Sequence, residues 1–173
     1  MTVSLHDLSV NSYLQIYEGI IGCLDKGLGY CRENGINPDD ISNARLFPDM
    51  NSFDFQVQAV THHSVGALNA VKNGTYIPQP QVPAVGYEGL QKMLLDARET
   101  LRGISAAEIN GHEGGEVVFR YGDIAIPFTT ENFLLSFSLP NFYFHAATAY
   151  DILRLKGVPV GKIDFLGQMR IKG

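Results

Sequence analysis

The chain has 173 residues, 45% of them hydrophobic, with a formal net charge of −5 and a pI near 5.4. That length and apolar content suit one domain over residues 1–173 with one core, and the acidic balance lacks the cationic excess that phosphate contacts need, so neither nucleic acid nor an anionic membrane is expected as a partner. No run of 18 apolar residues exists, and MTVSLHDLSV has neither a basic nor an apolar leader region, so a cytoplasmic location is the expectation.

Ser4 with Asp7 three residues on forms a capping-box pattern, and Leu5, Leu8, Ile16, Ile20, Leu24, Leu28 and Cys31 recur at helical spacing, predicting a long first helix that ends near Asn34-Gly35. Cys23 and Cys31 share that helix at a separation of roughly 12 Å, too far for a disulfide. Without a CxxC pair or a neighbouring histidine, they read as reduced thiols. Asn37-Pro38-Asp39-Asp40 has the order of an N-cap, a proline at N1 and an acidic first turn, predicting a short helix through about Leu46, with Pro48 ending it.

Phe53, Val57, Val60, Ser64, Leu68 and Val71 give a second long helix from Ser52 to about Lys72, stopped by Asn73-Gly74. Pro78, Pro80 and Pro83 make the connection over 75–83 extended and semi-rigid. Tyr87 to Arg102 is a third amphipathic helix with Leu90, Leu94, Ala97 and Leu101 inward, and Ser105 with Glu108 caps one more turn. After a glycine-rich stretch the period changes: residues 116–128 alternate around Gly122-Asp123 as a β-hairpin, and Pro127 marks an exposed edge. Thr130 to about Lys156 is apolar on nearly every face, as a buried helix should be, and Pro140 should kink it. The tail from Gly157 is expected to pack irregularly over the helices.

Chemistry concentrates on two helices. Asn141 and His145 are one turn apart on the last helix, with Thr148 continuing that face. On the second helix His62 follows the row of Phe55, Ala59 and Gly66, whereas His63 points about 100° away along Val60 and Ala67, so only one of the two faces the interior squarely. His62, Asn141 and His145 would form an inward-facing set of the kind from which helical bundles build metal sites, with His63, Tyr143 and Thr148 lining the pocket. Two imidazoles suit zinc, nickel or iron, whereas an amide oxygen is a poorer donor. The competing structural reading has His145 hydrogen-bonded to a side chain or carbonyl and Asn141 satisfying backbone near Pro140. No GxGxxG after a strand, P-loop or GxSxG elbow is present, which disfavours dinucleotide, phosphoryl-transfer and α/β-hydrolase chemistry.

The segment HAATAYDILRLKGVPVG at 145–161 resembles the end of the last helix in the DinB/YfiT-like metalloenzyme superfamily, with Leu153, Arg154, Gly157, Val158 and Pro159 in register. Together with NARLFPDM, LPNFYFH and KIDFLG, it resembles a bacterial and fungal branch known as a domain of unknown function. The resemblance implies an all-α, up-down-down-up four-helix bundle with a small β-hairpin before the last helix. It also implies a divalent metal, often zinc or nickel, thiol-transferase or hydrolase-like activity in some members, and a homodimer. The superfamily's His-x-x-x-His motif falls on Asn141 and His145, and its remaining histidine falls best on His62, with His63 as the alternative. Because Asn141 stands where a histidine is expected, the alternative function is a metal-free protein that binds a small molecule or serves in a stress response.

Overall fold

The computed structural model describes residues 3–80 and 83–172. Residues 81 and 82 of the extended connection lie outside the described residues. The protein is mostly helical, with a small three-stranded sheet.

The first helical region is broken once: α1 (Leu5–Leu8) ends at Ser9, and α2 (Val10–Asn34) continues from it. Ser4 and Asp7 form the reciprocal capping box, and the buried Ser9 hydroxyl donates back to the Leu5 carbonyl at 2.7 Å, a local bond that competes with regular helix. Tyr13, Tyr17, Ile20, Leu24 and Cys31 line the buried face of α2, which stops at Gly35 with φ 65°. The helix predicted through Leu46 is shorter, α3 (Asp39–Ser42).

The second long helix has three parts: α4 (Phe53–Thr61), a widened π-helical turn over His62–Gly66, and α5 (Ala67–Asn73), ended by Gly74 at φ 75°. It leads into β1 (Thr75–Tyr76), then α6 (Gly86–Arg102) and α7 (Ala106–Asn110), whose Ser105–Glu108 capping box is present. β2 (Glu116–Tyr121) and β3 (Ile124–Thr129) form the expected antiparallel hairpin, and β1 adds to β2 in parallel, giving the order β1-β2-β3 with Pro127 on an edge strand.

The last long helix comprises α8 (Thr130–Asn132), a second π-helical stretch over Phe133–Ser138, and α9 (Leu139–Leu155). Pro140 has no N–H to give one turn back, and the ladder is re-registered in the residues just before it.

Among the long helices, α2 packs on α6 and α9, and α4 packs on the same two. The exit after α9 is held by Arg154, whose guanidinium donates to the Val160 carbonyl at 2.9 Å, and by buried Val158 and Val160. The tail forms one more helix, α10 (Lys162–Leu166), laid on α2 where Gly19 has no side chain: a Cβ there would stand 2.1 Å from the Phe165 carbonyl oxygen. No helix among the described residues is long and apolar enough to cross a membrane.

Asp54 ties α4 to the start of α6. Its buried carboxylate accepts from the backbone N–H groups of Val85 at 3.0 Å and Gly86 at 3.2 Å, and from the Gln58 amide. These are unsatisfied donors at a helix start, where a negative charge is favoured. Asp54→Ala should lower the urea-unfolding free energy by about 1–3 kcal/mol, whereas Asp96→Ala, which breaks only an exposed pair with Lys92, should change it by less than about 0.5 kcal/mol.

Candidate functional site

The two π-helical turns meet across the core, and buried hydroxyls join them. Ser138 Oγ donates to the His63 carbonyl at 2.5 Å, so its own oxygen receives the Tyr13 hydroxyl at 2.6 Å. Ser64 Oγ donates to the Val60 carbonyl at 2.7 Å and receives the Tyr17 hydroxyl at 2.9 Å. Burial pushes the Tyr13 phenol well up, and that of Tyr17 to about 12, so both remain protonated donors.

This seam presents His63 to α9. The His63 and His145 rings stack with centroids 5.3 Å apart and planes 18° from parallel. The row that carries His63 explains its direction, for Gln56, Val60 and Ala67 on that face are all buried. His62 turns towards the connection after α5, and its Nε2–H donates to the Ile77 carbonyl at 2.9 Å.

Hydrogen bonds then set the imidazole protons. Gln56 is buried, and its Nε2 donates to the Asn51 carbonyl at 3.1 Å, which leaves Oε1 facing His145 Nδ1 at 2.7 Å. An amide oxygen only accepts, so His145 carries its proton on Nδ1 and presents an unprotonated Nε2. His63 Nδ1 meets the Tyr76 hydroxyl at 3.1 Å. Neither Nε2 has a hydrogen-bond partner among the described residues. Phe55 and Phe144 stand edge-on against His145 with ring centroids 6.0 and 5.3 Å away.

Asn141 donates through Nδ2 to the Phe137 carbonyl at 2.7 Å and Thr148 donates to the Phe144 carbonyl at 2.8 Å, so both side chains bond back to their own helix. Asn141 keeps its amide oxygen for another partner. Tyr143 is 40% exposed and packs edge-on against Phe142. Gln56 and Tyr76 were not among the residues singled out from the sequence. Gln56 could have been found, since it lies two helical turns before His63 on the same face. Tyr76 could not, because its place depends on a two-residue strand with no pattern of its own.

Burial, and then the neighbouring histidines, push His63 down to about 3; burial, and then His62, push His145 down to about 4. Burial also lowers His62, against the opposing effect of its bond to Ile77. Near neutral pH the stacked pair is therefore two uncharged imidazoles.

A family model described as a domain of unknown function (DUF1993) matches residues 5–166. The chain belongs to that family. The chain is also similar to the crystal structure of a DinB family member protein from Shewanella denitrificans, with a TM-score of 0.81 and 25% sequence identity over 98% of this chain and 95% of that one. No curated protein matches the sequence. DUF1993 membership and the DinB likeness agree with the resemblance carried by the Gly157-Val158-Pro159 exit.

The donor set can be tested against the metal that the resemblance implies. Among the described residues no group of three His, Cys, Asp or Glu side chains is arranged to hold an ion. The imidazole nitrogens of His63 and His145 are of the donor type that suits a borderline divalent ion, and together with the Asn141 amide oxygen they carry no negative charge. At His145 the Gln56 oxygen can only accept from Nδ1, the arrangement by which a histidine ligand is oriented from behind; at His63 the Tyr76 hydroxyl does the same only in the tautomer that carries its proton on Nδ1.

The depressed pKa values give a pH dependence with a definite sign. Above the ordinary histidine value of 6.5 both folded and unfolded states are neutral, and the histidines cost nothing. As pH falls below it, the unfolded chain takes protons that the folded site refuses down to about 4 at His145 and about 3 at His63, so stability is lost across that window. Urea unfolding of metal-free protein should lose roughly 1 kcal/mol per pH unit for each histidine between about pH 6 and 5. His63→Gln and His145→Gln should each flatten that acid limb; equal slopes in all three proteins would contradict the pKa assignments.

Proposed function

We propose that this protein is a DinB-like metal-binding protein of enzyme-like design, in which a zinc- or nickel-type ion sits on His63 and His145 with Asn141 as a weak third donor. The observation that carries the reading is the disposition of the two rings: each Nδ1 is engaged by a neutral oxygen, neither Nε2 has a partner among the described residues, and both rings are neutral at physiological pH. The frame in this reading is the up-down-down-up four-helix bundle that the resemblance implies.

His63 takes the part that the family pattern gives best to His62, because the His62 Nε2–H is bonded to Ile77 and its ring lies on the less buried row. Gln56 holds the proton at His145 Nδ1, so the lone pair stays at Nε2. The Tyr76 hydroxyl holds the His63 ring, and Phe55 and Phe144 pack edge-on against His145. A bound ion with so few protein donors would keep open positions and supply Lewis-acid chemistry for thiol transfer or hydrolysis.

The neutral donor set makes the affinity modest. That same feature supports a second reading, in which the open acceptors at His145 and Asn141 take a small hydrogen-bond donor with no ion present.

Calorimetric titration of untagged protein with zinc and with nickel distinguishes the two. Wild type should bind one ion; His63→Ala and His145→Ala should abolish binding, and His62→Ala should leave it within about twofold. Asn141→His restores the full motif and should tighten zinc by about tenfold or more, on the order of 1.4 kcal/mol. Loss of binding in His62→Ala but not in His63→Ala would overturn the assignment. Binding only in Asn141→His would favour the metal-free reading.

A further inference from the structure

On the side of the second long helix that packs against α6, two adjoining hollows of about 410 and about 350 Å³ share Thr61, Val65 and Met93 in their walls. Each is of a size that takes a small molecule. The wall is cut back at two glycines, Gly89 in the larger hollow and Gly66 in the smaller, the latter at the end of the π-helical turn. Pro80 stands over the smaller hollow.

Polar groups in the smaller hollow are unbalanced. Gln79 Oε1 is a buried acceptor without a hydrogen-bond partner among the described residues, a state that costs stability until something donates to it. His62 donates through Nε2 to the Ile77 carbonyl, which makes Nδ1 of the neutral ring a second acceptor. Of the donors in the wall, Gln58 Nε2 is already committed to Asp54 and to the Pro83 carbonyl at 3.2 Å, and Thr61 and Asn69 are the other polar side chains there. The apolar part of the surface around these acceptors is Val65, Met93 and Pro80. A Cβ on Gly66 would lie 3.3 Å from His62 Nδ1, so a glycine keeps that nitrogen uncrowded.

We infer that this groove is a second binding site, distinct from the stacked histidines, for a small apolar molecule that carries an amide N–H. The apolar body lies on Val65 and Met93, and the two hydrogens of a primary amide answer Gln79 Oε1 and His62 Nδ1. Neither the metal reading nor the DinB likeness requires this site, and it stands on the unpartnered Gln79 oxygen and the shape of the wall.

Met93 supplies the reporter, since the chain has only four methionines and a ¹³C-methyl label gives few signals. Benzamide is the probe, methyl benzoate is the control of similar shape without an N–H, and EDTA is present throughout so that the result is independent of any ion at His63 and His145. Benzamide should move the Met93 methyl signal saturably with a millimolar Kd, and the ester should bind at least about fivefold more weakly. Gln79→Leu should erase that preference while the Met50 and Met169 signals stay in place, and Val65→Phe should block the groove and abolish the response to both compounds. An unmoved Met93 signal at about 10 mM benzamide, equal binding of the ester by wild type, or an unchanged response in Val65→Phe would overturn the inference.

Discussion

The hydrogen bond from Ser138 to the His63 carbonyl is the contact on which the rest of the site depends. It joins two helices where each is widened by a π-helical turn, and through Tyr13 it reaches a third. A widened turn disturbs the regular backbone ladder, and a buried carbonyl without a donor is costly. Here the donor comes from the facing helix, so the irregularity in one element is stabilised only when the other is in register. One residue along, Ser64 donates back to the Val60 carbonyl of its own helix and receives the Tyr17 hydroxyl from α2.

That coupling sets the electrostatics. With His63 held against α9, the His63 and His145 rings stack in surroundings of Phe137, Phe55 and Phe144, and the protein keeps both uncharged. The short sheet contributes through Tyr76, which β1 carries into an aromatic cluster with Phe119, Phe133 and Phe137 and whose hydroxyl meets His63. Strand pairing far from α9 in sequence thus positions a group at the site. A neutral, oriented pair of imidazoles follows, and Asn141 decides how strongly such a pair can hold a cation.

Much of the frame was legible in the sequence because local chemistry wrote it. The Ser4–Asp7 and Ser105–Glu108 boxes, the glycines at 35 and 74, and the Gly122-Asp123 turn act over three or four residues and appear where they were expected. The DinB resemblance at Gly157-Val158-Pro159 agrees with the family and with the structural neighbour. What was not legible depends on contacts distant in sequence. Nothing near His62 announces a π-helical turn, the two residues of β1 have no alternation to read, and the widening of the last helix before Pro140 has no signal of its own. The choice between His62 and His63 was open on ideal helical geometry, although Gln56, Val60 and Ala67 on the His63 face held the deciding pattern.

The central claim is that the hydroxyl seam and Gln56 hold His145 as a neutral imidazole with its proton on Nδ1 and an open Nε2. Imidazole ¹⁵N chemical shifts of metal-free protein test it directly, read through the ordinary histidine value of 6.5 and compared with Ser138→Ala. The account predicts a protonated Nδ1 and an unprotonated Nε2 for His145, with no titration until the pH approaches about 4, and a drift towards the mixed tautomers of free imidazole in Ser138→Ala. A proton on Nε2, or titration of His145 near 6.5 in the wild-type protein, would contradict it.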